Sequence, residues 1–95
     1  MHAVLRYYSG QGASQLFDEL ESKSGEVEQL IRGVKGFVAY SLVRLPGGGV
    51  SVTVCEDKAG TDESVRIAAD WVRQNTTANA AAPNVVEGDV ILQLK

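Results

Sequence analysis

Cysteine, histidine, proline and tryptophan are scarce in this chain of 95 residues, which has one Cys, one His, two Pro and one Trp. A single cysteine excludes an internal disulfide framework. With one His and one Cys, a zinc-type metal site lacks its ligands, and no residue pattern calls for a cofactor. Positive charge is short as well: nine Lys and Arg face twelve Asp and Glu, for a net charge of −3. That argues against a nucleic-acid binder, whose affinity rests on neutralising phosphates. No apolar run approaches the ~20 residues of a membrane span. The opening Met1-His2-Ala3-Val4-Leu5-Arg6 has no basic segment followed by an apolar stretch. No signal peptide is expected, therefore, and the expected location is the cytoplasm.

What is present is the composition of an ordinary globular protein, 44% hydrophobic and 22% charged. Its length suits one domain, residues 1–95, with a core that buries roughly two-thirds of the unfolded surface. The apolar runs come in the order strand, long helix, two strands joined by Pro46-Gly47-Gly48-Gly49, helix, strand. That β-α-β-β-α-β order is the split-βαβ, ferredoxin-like pattern, an α+β fold whose four-stranded antiparallel sheet carries two helices on one face.

Strand one is Ala3 to Tyr8, with Ala3, Leu5 and Tyr7 on one side and Val4, Arg6 and Tyr8 on the other. Ser9-Gly10-Gln11-Gly12 turns the chain into a helix from about Ala13 to Arg32, whose Ala13, Leu16, Phe17, Leu20, Val27, Leu30 and Ile31 share one stripe. The apolar phase agrees across Ser24-Gly25, which predicts one helix with a soft spot there. Gly33 is the expected C-cap. Strand two, Phe37 to Leu45, carries Phe37, Ala39 and Val43 on one face and Val38, Tyr40 and Leu42 on the other. A strand apolar on both faces is covered on both. Strand three, Val50 to Glu56, alternates Val50, Val52 and Val54 with Ser51, Thr53 and Cys55. Thr61 is the expected N-cap of the second helix, followed by Asp62 and Glu63 in the first turn. Val65, Ala68, Ala69 and Val72 form its core stripe, and Ile67 and Trp71 a second apolar edge. The connection from Thr76 to Asn84 is longer than most and is placed to fold over that edge. Strand four follows Gly88 and Asp89, with Val90, Leu92 and Leu94 alternating with Ile91 and Gln93.

If the purely apolar faces of strands one, three and four meet the helices, the other sheet face carries Val4, Arg6, Tyr8, Ser51, Thr53, Cys55, Ile91 and Gln93. Such a face is too apolar for water and too polar for a closed core. Burial against a two-fold copy explains it, so a homodimer is expected; a half-wet monomer and a different protein partner are the alternatives.

Chemistry is thinly signalled. Gly10-x-Gly12 opens like a dinucleotide fingerprint, but the third position is Gln15 and the next strand enters a hairpin, so it reads as a turn. His2 reads as a terminal, solvent-facing side chain. Cys55 reads as a buried thiol, unless Arg6 on the same sheet face lowers its pKa. Asp18, Glu19, Glu21, Glu26 and Glu28 read as the solvated face of the first helix. Trp71, Tyr40, Tyr7 and Tyr8 either pack in core and interface or line a pocket for a flat organic ligand.

Phe37-Val38-Ala39-Tyr40-Ser41-Leu42, Gly48-Gly49-Val50-Ser51-Val52-Thr53-Val54, Asp62-Glu63-Ser64-Val65 and Ala69-Asp70-Trp71 give the chain a layout that resembles the antibiotic biosynthesis monooxygenase-like group. The resemblance implies a dimeric α+β barrel, two sheets packed face to face, with a cavity between helices and sheet in each subunit. Some members of that group oxidise polycyclic aromatics without metal or flavin, and some degrade haem. Trp71 matches the helical Trp of the group, but Ile67 stands where its Asn partner belongs. The haem degraders' first-strand Asn is replaced by Arg6 and Tyr7, and no His follows the second helix.

The leading expectation is thus a homodimer that binds a small apolar or aromatic molecule between sheet and helices, lined by Arg6, Tyr8, Tyr40 and Trp71, with catalytic residues unassigned. A cofactor-independent monooxygenase and a non-catalytic protein-interaction module are the alternatives. An RNA-binding use is disfavoured, because the sheet lacks an exposed aromatic pair in a basic surround.

Overall fold

The structure is a computed structural model that describes residues 1–94. Its elements run β1 (His2–Tyr8), α1 (Ala13–Ser22), α2 (Ser24–Arg32), β2 (Phe37–Leu45), β3 (Gly48–Cys55), α3 (Lys58–Asn75) and β4 (Asn84–Asp89). The sheet order is β2-β3-β1-β4, antiparallel throughout, as the ferredoxin-like pattern requires.

The long first helix is two helices. Lys23, at φ −112° and ψ 26°, leaves helical geometry between α1 and α2. The Lys23 carbonyl restarts the ladder by accepting from the Val27 N–H at 3.1 Å. Ser22 Oγ turns back on the Glu19 carbonyl, and the Lys23 ammonium reaches the Asn75 carbonyl at the end of α3. The apolar stripe survives the break: Ala13, Leu16, Phe17, Leu20, Val27 and Ile31 are all buried. Gly33 caps α2 in ordinary right-handed geometry, and the left-handed residue of that turn is Gly36.

Three boundaries also move. Asp57, not Thr61, caps α3, its carboxylate accepting from the Gly60 N–H at 3.1 Å. Thr61 is buried inside the helix. The last strand is Asn84–Asp89, not the alternating run after it. Six of the seven residues of β1 are used by that pairing, from Tyr7 opposite Asn84 to His2 opposite Asp89, where the strand begins. Among the described residues one further rung forms, Val90 N–H to the Met1 carbonyl at 3.0 Å. Beyond it Ile91, Leu92 and Leu94 are exposed, Ile91 to 97%.

The sheet faces are the reverse of the expected assignment. Val4, Arg6 and Tyr8 of β1 and Ser51, Thr53 and Cys55 of β3 face the helices and are buried. A bulge at Val38 shifts the β2 register between Phe37 and Ala39, so Phe37 joins Tyr40 and Leu42 on that side. The outward face is the apolar one: Leu5, Tyr7, Val52, Val43, Leu45 and Val86, of which Tyr7, Val43, Leu45 and Val86 are exposed. Period-two alternation fixes which residues share a face but not which face the helices cover. Here the helices cover the face that carries Arg6, Ser51 and Thr53.

Among the described residues no helix is long and apolar enough to cross a membrane.

Candidate functional site

Arg6 on β1 stands opposite Ser51 on β3, and its Nε donates to Ser51 Oγ at 3.0 Å. Arg6 is only 5% exposed. A guanidinium does not lose its proton in a protein, so the charge is carried into the interior. Among the described residues no carboxylate lies within ion-pair distance of it; the pairs that form are on the surface or at the α3 end of the sheet. A buried charge without a counter-charge is costly unless something compensates it.

Two tyrosines frame this group. Burial pushes the Tyr40 phenol above its ordinary pKa, opposed by the charge of Arg6 and reinforced by Tyr8; a hydrogen bond to Arg6 also pulls it down. Tyr40 is therefore a neutral phenol facing a guanidinium. Tyr8 is fixed from behind by Phe17 of α1, edge to face at 5.9 Å and 65°.

Arg6, Tyr8, Tyr40 and Ser51 form the sheet wall of a narrow waist, with Trp71 of α3 and Ile31 of α2 on the helix wall. The waist holds about 20 Å³, the room of a single water. It shares lining residues with two larger spaces. The outer cleft, about 330 Å³ between α2 and β2, shares Tyr40 and Leu42 with it and has Phe37, Glu28 and Arg32 at its walls. The inner cleft, about 240 Å³, shares Arg6, Tyr8 and Val72 with it and is roofed by Ala78, Ala80 and Pro83 of the 76–83 connection. No carboxylate lines the waist or the inner cleft. Glu28, at the outer cleft, is already paired with Arg32 at 2.8 Å.

The four residues singled out in the sequence, Arg6, Tyr8, Tyr40 and Trp71, thus line one space. Sequence reasoning missed the role of Ser51 as the partner of Arg6, although pairing strand one with strand three puts them on one rung. It also misplaced the roof. The 76–83 connection does not lie over the Ile67–Trp71 edge; it runs along α1, from Glu19 back to Gly12 before the helix. There the Glu19 carboxylate accepts from the Thr77 and Ala78 N–H groups at 2.9 and 2.8 Å. Gly12, at φ +85°, lets the strap pass: a Cβ there would sit 2.4 Å from the Asn79 carbonyl oxygen.

Other candidates fall outside the cavity. His2 is half-buried and not terminal in role: Nδ1 lies 2.9 Å from Thr61 Oγ1 and Nε2 3.4 Å from Glu87. Cys55 is buried, and its thiol is pushed up by burial first and by Asp57 and Glu63 beyond that, so the activating cation considered for it is absent. Asp18 and Glu21 pair with Arg44 at 3.1 and 2.9 Å, as a solvated face does. Among the described residues no group of three or more His, Cys, Asp or Glu is placed to hold a metal ion.

No family model matches the chain, and no curated protein matches it by sequence. Solved structures do match. A protein of unknown function from Nitrosomonas europaea superposes with a TM-score of 0.71 over 99% of this chain and 91% of its own, at 18% identity. The haem degrader MhuD of Mycobacterium tuberculosis, solved with two haems in its active site, gives 0.67 at 17% identity, with 100% of both chains covered. The ActVA-Orf6 monooxygenase of Streptomyces coelicolor, solved with nanaomycin D, gives 0.62 at 18% identity, covering 99% of this chain and 89% of its own. This chain has their fold. The resemblance to antibiotic biosynthesis monooxygenase-like proteins is borne out at that level, while the shared fold alone carries no activity across.

Proposed function

We propose that the protein is a homodimeric, single-domain member of the antibiotic biosynthesis monooxygenase-like group that binds a small, largely apolar or aromatic molecule between its sheet and helices. The observation that carries this reading is the waist at Arg6, Tyr8, Tyr40 and Trp71, which shares lining residues with two clefts of about 330 and 240 Å³. A cleft with mostly apolar walls and a few convergent polar groups is the usual form of a small-molecule site. Two solved proteins of the same fold carry organic ligands of flat, conjugated type, nanaomycin D and haem.

The dimer is supported by the outward sheet face. Tyr7, Val43, Leu45 and Val86 are exposed there around a band of further apolar side chains, and the 90–94 arm leaves Ile91, Leu92 and Leu94 uncovered. A contiguous apolar face of this kind marks an interaction surface, and a two-fold copy is the commonest occupant. A cytoplasmic location stays part of the proposal and rests on the sequence alone.

Isothermal titration of the protein with the neutral bicyclic 2-naphthamide tests the site. Binding is expected, with the Trp71→Phe variant weaker by several fold and still dimeric. Unchanged affinity in the variant removes Trp71 from the site, and no binding to the wild type counts against the cavity as a ligand site.

A second reading is a cofactor-independent monooxygenase, which the neutral Tyr40 phenol facing Arg6 favours. Protein-dependent oxygen uptake with anthrone-like substrates would support it; none across a panel of them would remove it.

A further inference from the structure

Resting on the ligand-binding reading above, we propose that the ligand carries an oxyanion, a carboxylate or ionised phenol at the edge of an apolar ring system, and that Arg6 is the residue that receives it. Three independent features meet here. Arg6 is buried to 5% exposure, so its charge is poorly served by solvent. The side-chain groups that meet it, the Ser51 hydroxyl on its Nε–H at 3.0 Å and the Tyr40 phenol, are both neutral, so neither offsets its charge. And Arg6 lines both the waist and the inner cleft, where no carboxylate offers a counter-charge.

The rest of the lining fits the two halves of such a ligand. Leu16, Val65, Val72 and the alanines of the strap give the inner cleft an apolar body. The Tyr40 hydroxyl, kept protonated by its burial, stands beside Arg6 as a donor to the same oxyanion. A guanidinium offers parallel N–H groups that match a carboxylate, and charge-assisted hydrogen bonds of this kind are about twice as strong as neutral ones. A site built on an unpaired buried cation discriminates by charge: a neutral ligand of the same shape leaves that cation uncompensated. The inner cleft, at about 240 Å³, suits a fused bicyclic ligand better than a large polycycle unless the strap moves.

The test compares 2-naphthoate with 2-naphthamide, which match in shape and differ in charge, by isothermal titration against the dimer. The acid is expected to bind about tenfold or more tightly than the amide. Arg6→Met should bring the two affinities together by weakening the acid alone, and Arg6→Lys should keep part of the preference. Equal affinities of acid and amide for the wild type overturn the oxyanion assignment while leaving the ligand site in place. A preference for the acid that persists in Arg6→Met overturns the assignment to Arg6. Failure of both probes to bind overturns the underlying reading together with it. Should Arg6→Met not fold, the acid-to-amide ratio in Arg6→Lys decides: a reduced preference supports Arg6 and an unchanged one overturns it.

Discussion

Arg6 and Ser51 are joined by a 3.0 Å hydrogen bond between two buried side chains on one rung of β1 and β3. It holds the Nε–H of the buried guanidinium, so both stability and the site depend on it. Ser51→Ala should cost about 1.5–3 kcal/mol, the range for a hydrogen bond to a charged group, with urea denaturation as the measurement. A loss below half a kcal/mol or so would mean that the Nε–H finds another acceptor and that Ser51 is not its support.

Thr53, two residues further along β3 on the same face, has the opposite problem. Its hydroxyl is fully buried and without a hydrogen-bond partner. An unsatisfied buried hydroxyl costs about 1–3 kcal/mol, and replacing it by a methyl of the same shape removes that cost. Thr53→Val should therefore raise stability by about 1 kcal/mol, read as a higher urea midpoint at unchanged slope. A drop in stability would show that the hydroxyl is in fact satisfied.

Gly49 sits opposite Tyr8 on the helix side, under the ring of Phe17. A Cβ there would lie 2.3–2.6 Å from three Phe17 ring atoms. Gly49→Ala must displace that ring and with it the edge-to-face contact that fixes Tyr8. The expected cost is about 1–3 kcal/mol, accompanied by a change in the near-ultraviolet circular dichroism of the aromatic cluster. An unaltered spectrum would contradict this packing.

The strap over the inner cleft should respond to acid. The Thr77 N–H, then the Ala78 N–H, the Thr77 hydroxyl and the charge of Lys23 hold the Glu19 carboxyl below its ordinary 4.5, against a smaller opposing effect of burial. A folded pKa below the unfolded one means that the contact contributes fully above 4.5 and is lost as pH falls through the lowered folded value. Hydrogen exchange at Thr77 and Ala78, corrected for intrinsic pH dependence, should lose protection over that acid interval. Glu19→Gln should show the same loss at neutral pH. Protection that ignores both changes would rule out Glu19 as the tether.

Much of this architecture was legible in the sequence, and the misreadings share physical causes. Strand two and the order of elements follow from apolar runs punctuated by Pro46 and the adjacent glycines. The grouping of Arg6, Tyr8, Ser51, Thr53 and Cys55 on one sheet face was also legible, since alternation alone decides it. Its direction was not. The expectation that the more apolar face meets the helices fails because the helices bury the face that carries Arg6, Ser51 and Thr53, leaving the apolar face outside. Strand four was misplaced because Val90, Leu92 and Leu94 alternate better than Asn84–Asp89 do, while the limit was set by how much of β1 remained to pair with. Thr61-Asp62-Glu63 has the composition of a helix start, and Asp57 took the cap because its carboxylate reaches the Gly60 N–H. Arg6, Tyr8, Tyr40 and Trp71 were singled out by residue type and face, and the structure brings them around one space. The strap and the Ser51 bond required the tertiary structure.

The same inversion of the sheet bears on assembly. With the polar groups turned inward, the outward face presents Tyr7, Val43, Leu45 and Val86 to whatever covers it, which strengthens the case for a second copy. A native mass spectrum at micromolar protein concentration, recorded with 2-naphthamide present, tests the ligand-binding homodimer most directly. The expected species is at twice the chain mass of 10.1 kDa, with the amide bound. A monomer, or a dimer that takes up none of the amide, would contradict it.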